Sequence, residues 1–246
     1  MADNLTHEYG EPNLEYIATW FNRDDDGPFW ALNLMKYRTR AVGKDGQEED
    51  RSGIEADNEY NPTPQIEAVG GRMVLVAPVE KQLRGDAVAW DRIAIVLYPT
   101  RMSFVEMGMR DDFKKQHEHK NAGMETTIVV ASMPDEGQPP PANTDSAVGT
   151  GDRLLLQVVT DATAPDLADT IEASRIGRFT VEGNIFGDER QWAEARWDRI
   201  SAETADDLMA GEPVDDPNSY VMVLVPRLDT LAESVVTPLP LSLIHI

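Results

Sequence analysis

Trp90-Asp91-Arg92-Ile93 recurs in this chain as Trp197-Asp198-Arg199-Ile200, and a Gly-Arg step precedes each copy, Gly71-Arg72 the first and Gly177-Arg178 the second. The stretch from Arg to Trp is longer by one residue in the second copy, which one insertion at a hairpin tip would explain. Recurrence at such a separation marks a duplicated supersecondary unit. The expectation is two copies of one unit, paired within one polypeptide.

Outward from the first copy, a short leading helix is expected over 12–21, ended by the turn Asp24-Asp25-Asp26-Gly27-Pro28. Residues 29–38 read as a strand that sends Trp30, Leu32 and Leu34 to one face and Ala31, Asn33, Met35 and Tyr37 to the other. Ser52 and Glu55 form a capping-box pattern that opens a helix, interrupted at Pro62 and Pro64 and ended by Gly70-Gly71. Strands follow at 72–80 and 90–98. Ser103 and Glu106 supply a second capping box for a helix carrying Phe104, Met107 and Phe113, with Gly123 as its C-cap and a strand at 124–131 after it. The order is βαββαβ, the ferredoxin-like unit. The second half repeats it with strands at 154–160, 178–185, 192–200 and 220–226 and helices at 165–176 and 202–210. Between the halves, 134–150 holds Pro139-Pro140-Pro141 among small polar residues and reads as a solvated linker. The organisation expected is a helical lead (1–27), a first α/β-barrel domain (28–133), the linker, and a shorter second domain (151–240).

A ferredoxin-like sheet carries helices on one face only, so its bare face must be covered or leave apolar surface wet. Two copies in one chain can cover each other. The fold class expected is therefore α+β: tandem ferredoxin-like repeats closing into an intramolecular pseudo-dimeric α/β barrel, with further self-association open.

The chain has 246 residues, 44 acidic against 22 basic, and a net charge of −22. Such a field repels nucleic acid and anionic lipid, so neither is an expected partner. An acid-rich surface with few lysines suits a saline habitat, where salt relieves self-repulsion, and equally an ordinary acidic cytosolic protein. No stretch approaches the roughly 20 apolar residues of a membrane helix, and the N-terminus shows no signal-peptide pattern. With no cysteine there is no disulfide, thiolate nucleophile or cysteine-held metal. A cytoplasmic location is the expectation. The tail Leu241-Ser242-Leu243-Ile244-His245-Ile246 matches the in-frame translation of a sequencing-library adapter and is read as an artefact, so His245 carries no functional weight.

Two stretches carry a family resemblance. One is Ala31-Leu32-Asn33-Leu34-Met35-Lys36-Tyr37-Arg38 with Lys44-Asp45-Gly46 and Ser52-Gly53-Ile54-Glu55-Ala56 to Tyr60. The other runs from Trp90 to Pro99 with Phe104, Phe113, His117, His119, Ala122 and Gly123. Together, over about residues 28–133, they resemble the family numbered 1330 among domains of unknown function, a member of the dimeric α/β-barrel superfamily. That superfamily also holds EthD-like proteins, muconolactone isomerases and antibiotic-biosynthesis monooxygenases. The resemblance implies the barrel, and it implies a small aromatic or polyketide-like ligand, or haem, beside the sheet. It implies no established activity, and fold analogy is a weak warrant for one.

Among residues able to carry chemistry, His117-Glu118-His119 is the one histidine cluster. Positions two apart on a helix diverge by roughly 200°, so the pair cannot chelate one ion there. His117 shares a face with Phe113 and is the inward candidate for a general base or haem ligand; the alternative is an exposed polar turn favoured by the helix dipole. Asn33, Met35 and Tyr37 are expected to face the other copy and line a cavity, Tyr37 as proton donor and Asn33 as an orienting group; they could equally satisfy one another across a barrel interior. Trp90 is a candidate ligand contact or simply a core indole. Arg110 could hold a carboxylate or pair with Asp111 or Asp112. His117 and Tyr37 are thus the catalytic candidates and Asn33, Met35, Arg110 and Trp90 the binding candidates. No metal site and no cofactor is expected. Three functional readings follow: a small-molecule-binding barrel with cofactor-independent isomerase or monooxygenase chemistry, a non-catalytic assembly domain with a packed interior, and haem binding through His117.

Overall fold

A computed structural model describes residues 9–239; the adapter-like tail lies outside them. The first half runs β1 (Glu11–Pro12), α1 (Leu14–Thr19) continued by a 3-10 turn (Trp20–Asn22), β2 (Phe29–Tyr37), α2 (Gly53–Glu59), α3 (Thr63–Ala68), β3 (Arg72–Gly85), β4 (Arg92–Tyr98), α4 (Arg101–Met109), α5 (Asp111–Gly123) and β5 (Met124–Pro134). The second runs β6 (Arg153–Val159), a 3-10 turn (Leu167–Thr170), β7 (Ser174–Gly187), β8 (Glu194–Ile200), α6 (Ala202–Met209), β9 (Val214–Asp215), β10 (Ser219–Leu224), β11 (Leu228–Asp229) and α7 (Leu231–Val236).

Eight of these strands form a closed antiparallel barrel in a mixed α+β protein. Its order is β7-β5-β2-β4-β3-β10-β6-β8, and β7 pairs with β8 to close the ring. The seams between the halves are β5 against β7 and β3 against β10. Closure removes the exposed edges that two separate sheets would present.

The local signals act as expected at several points. Ser52 and Glu55 make the capping box that starts α2. Pro62 separates α2 from α3, since the ring of an interior proline clashes with the preceding turn, while Pro64 sits in the first turn of α3, where it is tolerated. Thr100, rather than Ser103, caps α4: its side chain accepts from the Ser103 backbone N–H. The helix expected over 165–176 is only a 3-10 turn, because Gln157 and Arg196 side chains take up the backbone groups of Ala162, Ala164, Pro165 and Leu167. The 134–150 segment contains no strand beyond Pro134 and no helix, yet it is pinned down. Gln138 Oε1 accepts from the Arg178 backbone N–H, and buried Ala147 donates its own N–H to Asp229.

The recurring tetrapeptide does not mark equivalent places. Trp90 and Asp91 precede β4, whereas Trp197-Asp198-Arg199-Ile200 closes β8. The two halves do share hairpin dimensions: β3 and β7 both have 14 residues, β4 and β8 both have 7. The connections, 86–91 and 188–193, match in length, with no insertion at either hairpin tip. The registers match as well, Val76 opposite Ala94 in one and Arg178 opposite Arg196 in the other.

The barrel interior is packed, not hollow. Trp30, Leu32 and Leu34 of β2 point inward to one cluster with Ile95, Leu156, Phe179, Trp197 and Met222. Trp90 belongs to the same interior, edge-on to Tyr220 with ring centroids 5.7 Å apart. The C-terminal α7 adds Leu231 and Ala232, and its Ser234 hydroxyl accepts from the Trp30 indole at 2.8 Å. The helices lie outside the ring. The Asn33 face, expected to meet the other copy, therefore turns outward to the helices, because the larger apolar side chains of β2 occupy the interior.

Candidate functional site

The space between the first-half sheet and its helices holds a cavity of about 830 Å³. Its floor is the outward face of three strands in register: Ala31, Asn33 and Met35 of β2, Val96, Ala94 and Arg92 opposite them on β4, and Val129 and Thr127 opposite Asn33 and Met35 on β5. The roof comes from α2 to α5. Along β2 the floor changes from apolar at Ala31 and Val96 to polar at Arg92 and Thr127, which flank Met35. Phe104, Met107 and Phe113 line the cavity with the same aromatic and aliphatic cluster as Val96 and Val129.

The two roof layers are locked by glycine. A Cβ on Gly53 of α2 would fall on the Gly123 carbonyl at the end of α5, and one on Gly123 would fall on the Gly53 carbonyl. The Arg38 backbone joins them, donating to Gly123 O at 2.9 Å and accepting from Gly53 N–H at 3.1 Å. This close approach sets Asp57 of α2 near enough to Lys120 of α5 for their charges to interact.

Four polar groups converge there. Asp57 is buried; its Oδ2 accepts from Tyr37 Oη at 2.5 Å and from the Arg92 guanidinium at 2.7 Å. Its Oδ1 is buried with no hydrogen-bond partner. Arg92 also reaches Asn58 Oδ1 at 2.7 Å and lies 5.2 Å over the Tyr37 ring. His117 Nε2 is 2.8 Å from the Tyr9 hydroxyl, and its ring packs 5.1 Å from Phe113 and 5.8 Å from Tyr60, centroid to centroid. Lys120 is buried, with Nζ 5.7 Å from the Tyr60 ring and 5.9 Å from that of Tyr9, and no hydrogen bond or ion pair among the described residues. Burial holds its ammonium below the usual lysine range against the opposing pull of Asp57. Burial, with Asp57 beside it, likewise pushes the Tyr37 phenol far up, so Tyr37 stays a neutral donor.

The residues singled out from sequence are thus distributed as follows. Asn33, Met35 and His117 line the cavity. His119 points away, 3.6 Å from Glu59 at the surface. Tyr37 stands behind Asp57 and holds it. Trp90 lies inside the barrel, on the other side of the sheet, and is a core indole. Arg110 is a half-buried partner of Asp112 at 3.0 Å, outside the cavity lining. Sequence reading missed Lys120, Asp57 and Tyr9. Lys120 had a signal, since it falls three residues after His117 and seven after Phe113 on one helical face. Tyr9 had none: it arrives through the N-terminal lead, whose β1 pairs with β7 of the second half.

The second half has the same floor but fills the space. The register that sets Asn33 opposite Ala94 sets Gln157 opposite Arg196, and Val76 is replaced by Arg178. Arg196 is buried and paired with Glu194, while Arg175 and Arg178 grip Asp166 at 2.8 and 2.7 Å. Arg175 also pairs with Asp198 at 2.8 Å. Burial pushes the Asp198 carboxyl up to about 6, with Asp166 adding to it and Arg175 opposing. Between its ordinary 3.8 and about 6 the folded protein holds a proton that the unfolded chain has lost, so this residue's contribution to stability falls as pH rises through that window. Asp198→Asn is expected to flatten that part of the stability profile, as urea unfolding at pH 4 and pH 7 would show.

No family model and no curated protein matches the chain. Among solved structures, the methylated RPA0582 protein is 31% identical, with a TM-score of 0.46 over 52% of this chain and 96% of its own. The RPA0582 protein of unknown function from Rhodopseudomonas palustris is 28% identical, with a TM-score of 0.45 over 55% of this chain and 100% of its own. A “putative monooxygenase” from Lactobacillus acidophilus is 13% identical, with a TM-score of 0.39 over 84% of this chain and 97% of its own. Among the described residues no helix is long and apolar enough to cross a membrane. The chain is an α+β protein with a closed eight-stranded barrel, similar over about half its length to proteins of unknown function.

Proposed function

We propose that the first-half cavity binds a small organic molecule with an aromatic-sized apolar body and an oxygen-bearing polar end, and performs cofactor-independent proton transfer on it. The observation that carries this reading is the cavity itself. A space of about 830 Å³ lies within the range of small-molecule sites, mostly apolar with a few converging polar groups. The apolar body would sit against Phe104, Met107 and Phe113. The polar end would meet Lys120, Asn33 and the Tyr9–His117 pair, in a chain whose overall charge is negative. A hydrogen-bonded histidine and tyrosine beside a buried carboxylate suit acid–base work, which favours isomerase-type chemistry over oxygenation. Haem is the weaker reading, since His117 Nε2 is already engaged with Tyr9.

The same proposal includes the origin of the fold. The strand orders β5-β2-β4-β3 and β10-β6-β8-β7 both follow the ferredoxin-like pattern, and the matched hairpins support a tandem pair within one chain. One copy keeps an open site; the other has closed it with arginines.

The test copies the second half into the first. Ala94→Arg places a guanidinium where Arg196 stands in the other copy. A thermal-shift screen of small aromatic carbonyl compounds and aromatic acids is expected to find ligands that stabilise the wild type, by about 2.7 kcal/mol at a hundredfold excess over Kd. They should give no shift with a folded Ala94→Arg. Hits that bind both proteins equally well would refute this site.

A further inference from the structure

We infer that Lys120 captures the carbonyl carbon of an aldehyde or ketone as an imine, so that the ligand class of the cavity is a carbonyl compound. The inference rests on the binding reading above and names its chemistry.

Two observations support it independently. The Lys120 amine is buried, lines the cavity, and has no carboxylate within ion-pair distance among the described residues, although the chain is rich in acid. A lysine kept only for charge would find a partner here, as Lys36 does with Asp91 at 3.2 Å and Lys44 with Glu118 at 2.5 Å. The second observation is Asp57, whose Oδ1 is buried and lacks a hydrogen-bond partner while Oδ2 is doubly bonded. A buried carboxylate oxygen left open is costly unless something polar reaches it in the working state. A nucleophilic amine and an open carboxylate oxygen on facing walls are what addition to a carbonyl requires.

The step balances without a co-reactant. The neutral amine nitrogen attacks the carbonyl carbon and the N–C bond forms. The C–O bond then breaks, and the oxygen leaves as water with the two amine hydrogens. The imine nitrogen withdraws electrons from the neighbouring carbon, which makes its C–H acidic. Desolvation favours the neutral amine of Lys120, whereas Lys115 on the same helix is exposed to solvent.

The experiment uses the full chain with benzaldehyde and sodium cyanoborohydride, which reduces an imine to a stable benzylamine, followed by peptide mapping. One benzyl group on Lys120, formed at least about tenfold faster than on Lys115, is the expected result. Lys120→Met, which keeps the apolar stem, should lose that adduct alone; should this variant not fold, the wild-type map still decides. An unmodified Lys120 beside labelled Lys115 overturns the inference. Benzyl alcohol, of similar shape but without a carbonyl, separates the two readings. A thermal shift with it, and no adduct on Lys120, leaves the cavity as a binding site and removes the imine. Neither shift nor adduct removes both.

Discussion

Gly123→Ala is expected to lower the unfolding free energy by about 3 kcal/mol or more, above the usual range for an added methylene in a packed site. The reason is that the new methyl meets backbone. The nearest atoms are the Gly53 carbonyl and, at 3.1 Å, the Ala56 Cβ, none of which can rotate aside. Relief requires α2 and α5 to move apart, which breaks the Arg38 bonds to both glycines. Gly53→Ala should cost as much, since its methyl meets Gly123 O and, at 2.5 and 2.8 Å, the Arg38 carbonyl and amide. Gly27→Ala is the control, with nothing within 4 Å of the added carbon, and should change stability by less than about 0.5 kcal/mol. Urea unfolding of the three variants checks this ordering. The helices that separate carry Asp57 and Lys120, so any folded Gly123→Ala should also lose ligand binding.

Asp57→Ala is expected to cost about 3–5 kcal/mol, because it leaves a mostly buried guanidinium without its carboxylate. Arg92 is only 14% exposed and Tyr37 is buried, so neither freed donor finds water readily. Asp57→Asn keeps the shape and one acceptor and should cost less, about 1–3 kcal/mol. The combined Asp57→Ala, Arg92→Met change should recover part of the loss, since the unpaired charge is gone. Additive losses from urea unfolding would instead show that Arg92 does not depend on Asp57.

Much of the helix and strand order of the first half is readable because elements carry their own local devices: alternation on β2, the Ser52–Glu55 box and Pro62 between α2 and α3. Gly123 is not the C-cap expected: it is the last helical residue, Met124 is the cap, and the glycine serves the close approach to Gly53. The same devices misled where side chains reached the backbone from a distance. Nothing local in 165–176 says that Arg196, on a strand beyond β7, will take the carbonyls that a helix would have used. The Trp-Asp-Arg-Ile recurrence shows a second limit. Both tryptophans do reach the barrel interior, but Asp91 accepts from the Tyr37 backbone N–H while Asp198 pairs with Arg175. Identical tetrapeptides at different strand positions meet different neighbours, while the two hairpins of equal length and register share little sequence.

The site divides the same way. That His117 points inward and His119 outward follows from helical spacing against Phe113. That Asn33 faces helices and not the opposing copy could not be read, because alternation separates two faces without saying which is inside. The sequence by itself determined most strands, the main helices of the first half and the α+β barrel class, since these follow from short-range sterics and from the need to cover apolar surface. Only the tertiary structure decided that the ring is solid, that the cavity lies outside it, and that one half keeps it open. Those outcomes depend on which side chains from distant strands, Ala94 or Arg196, compete for the same volume.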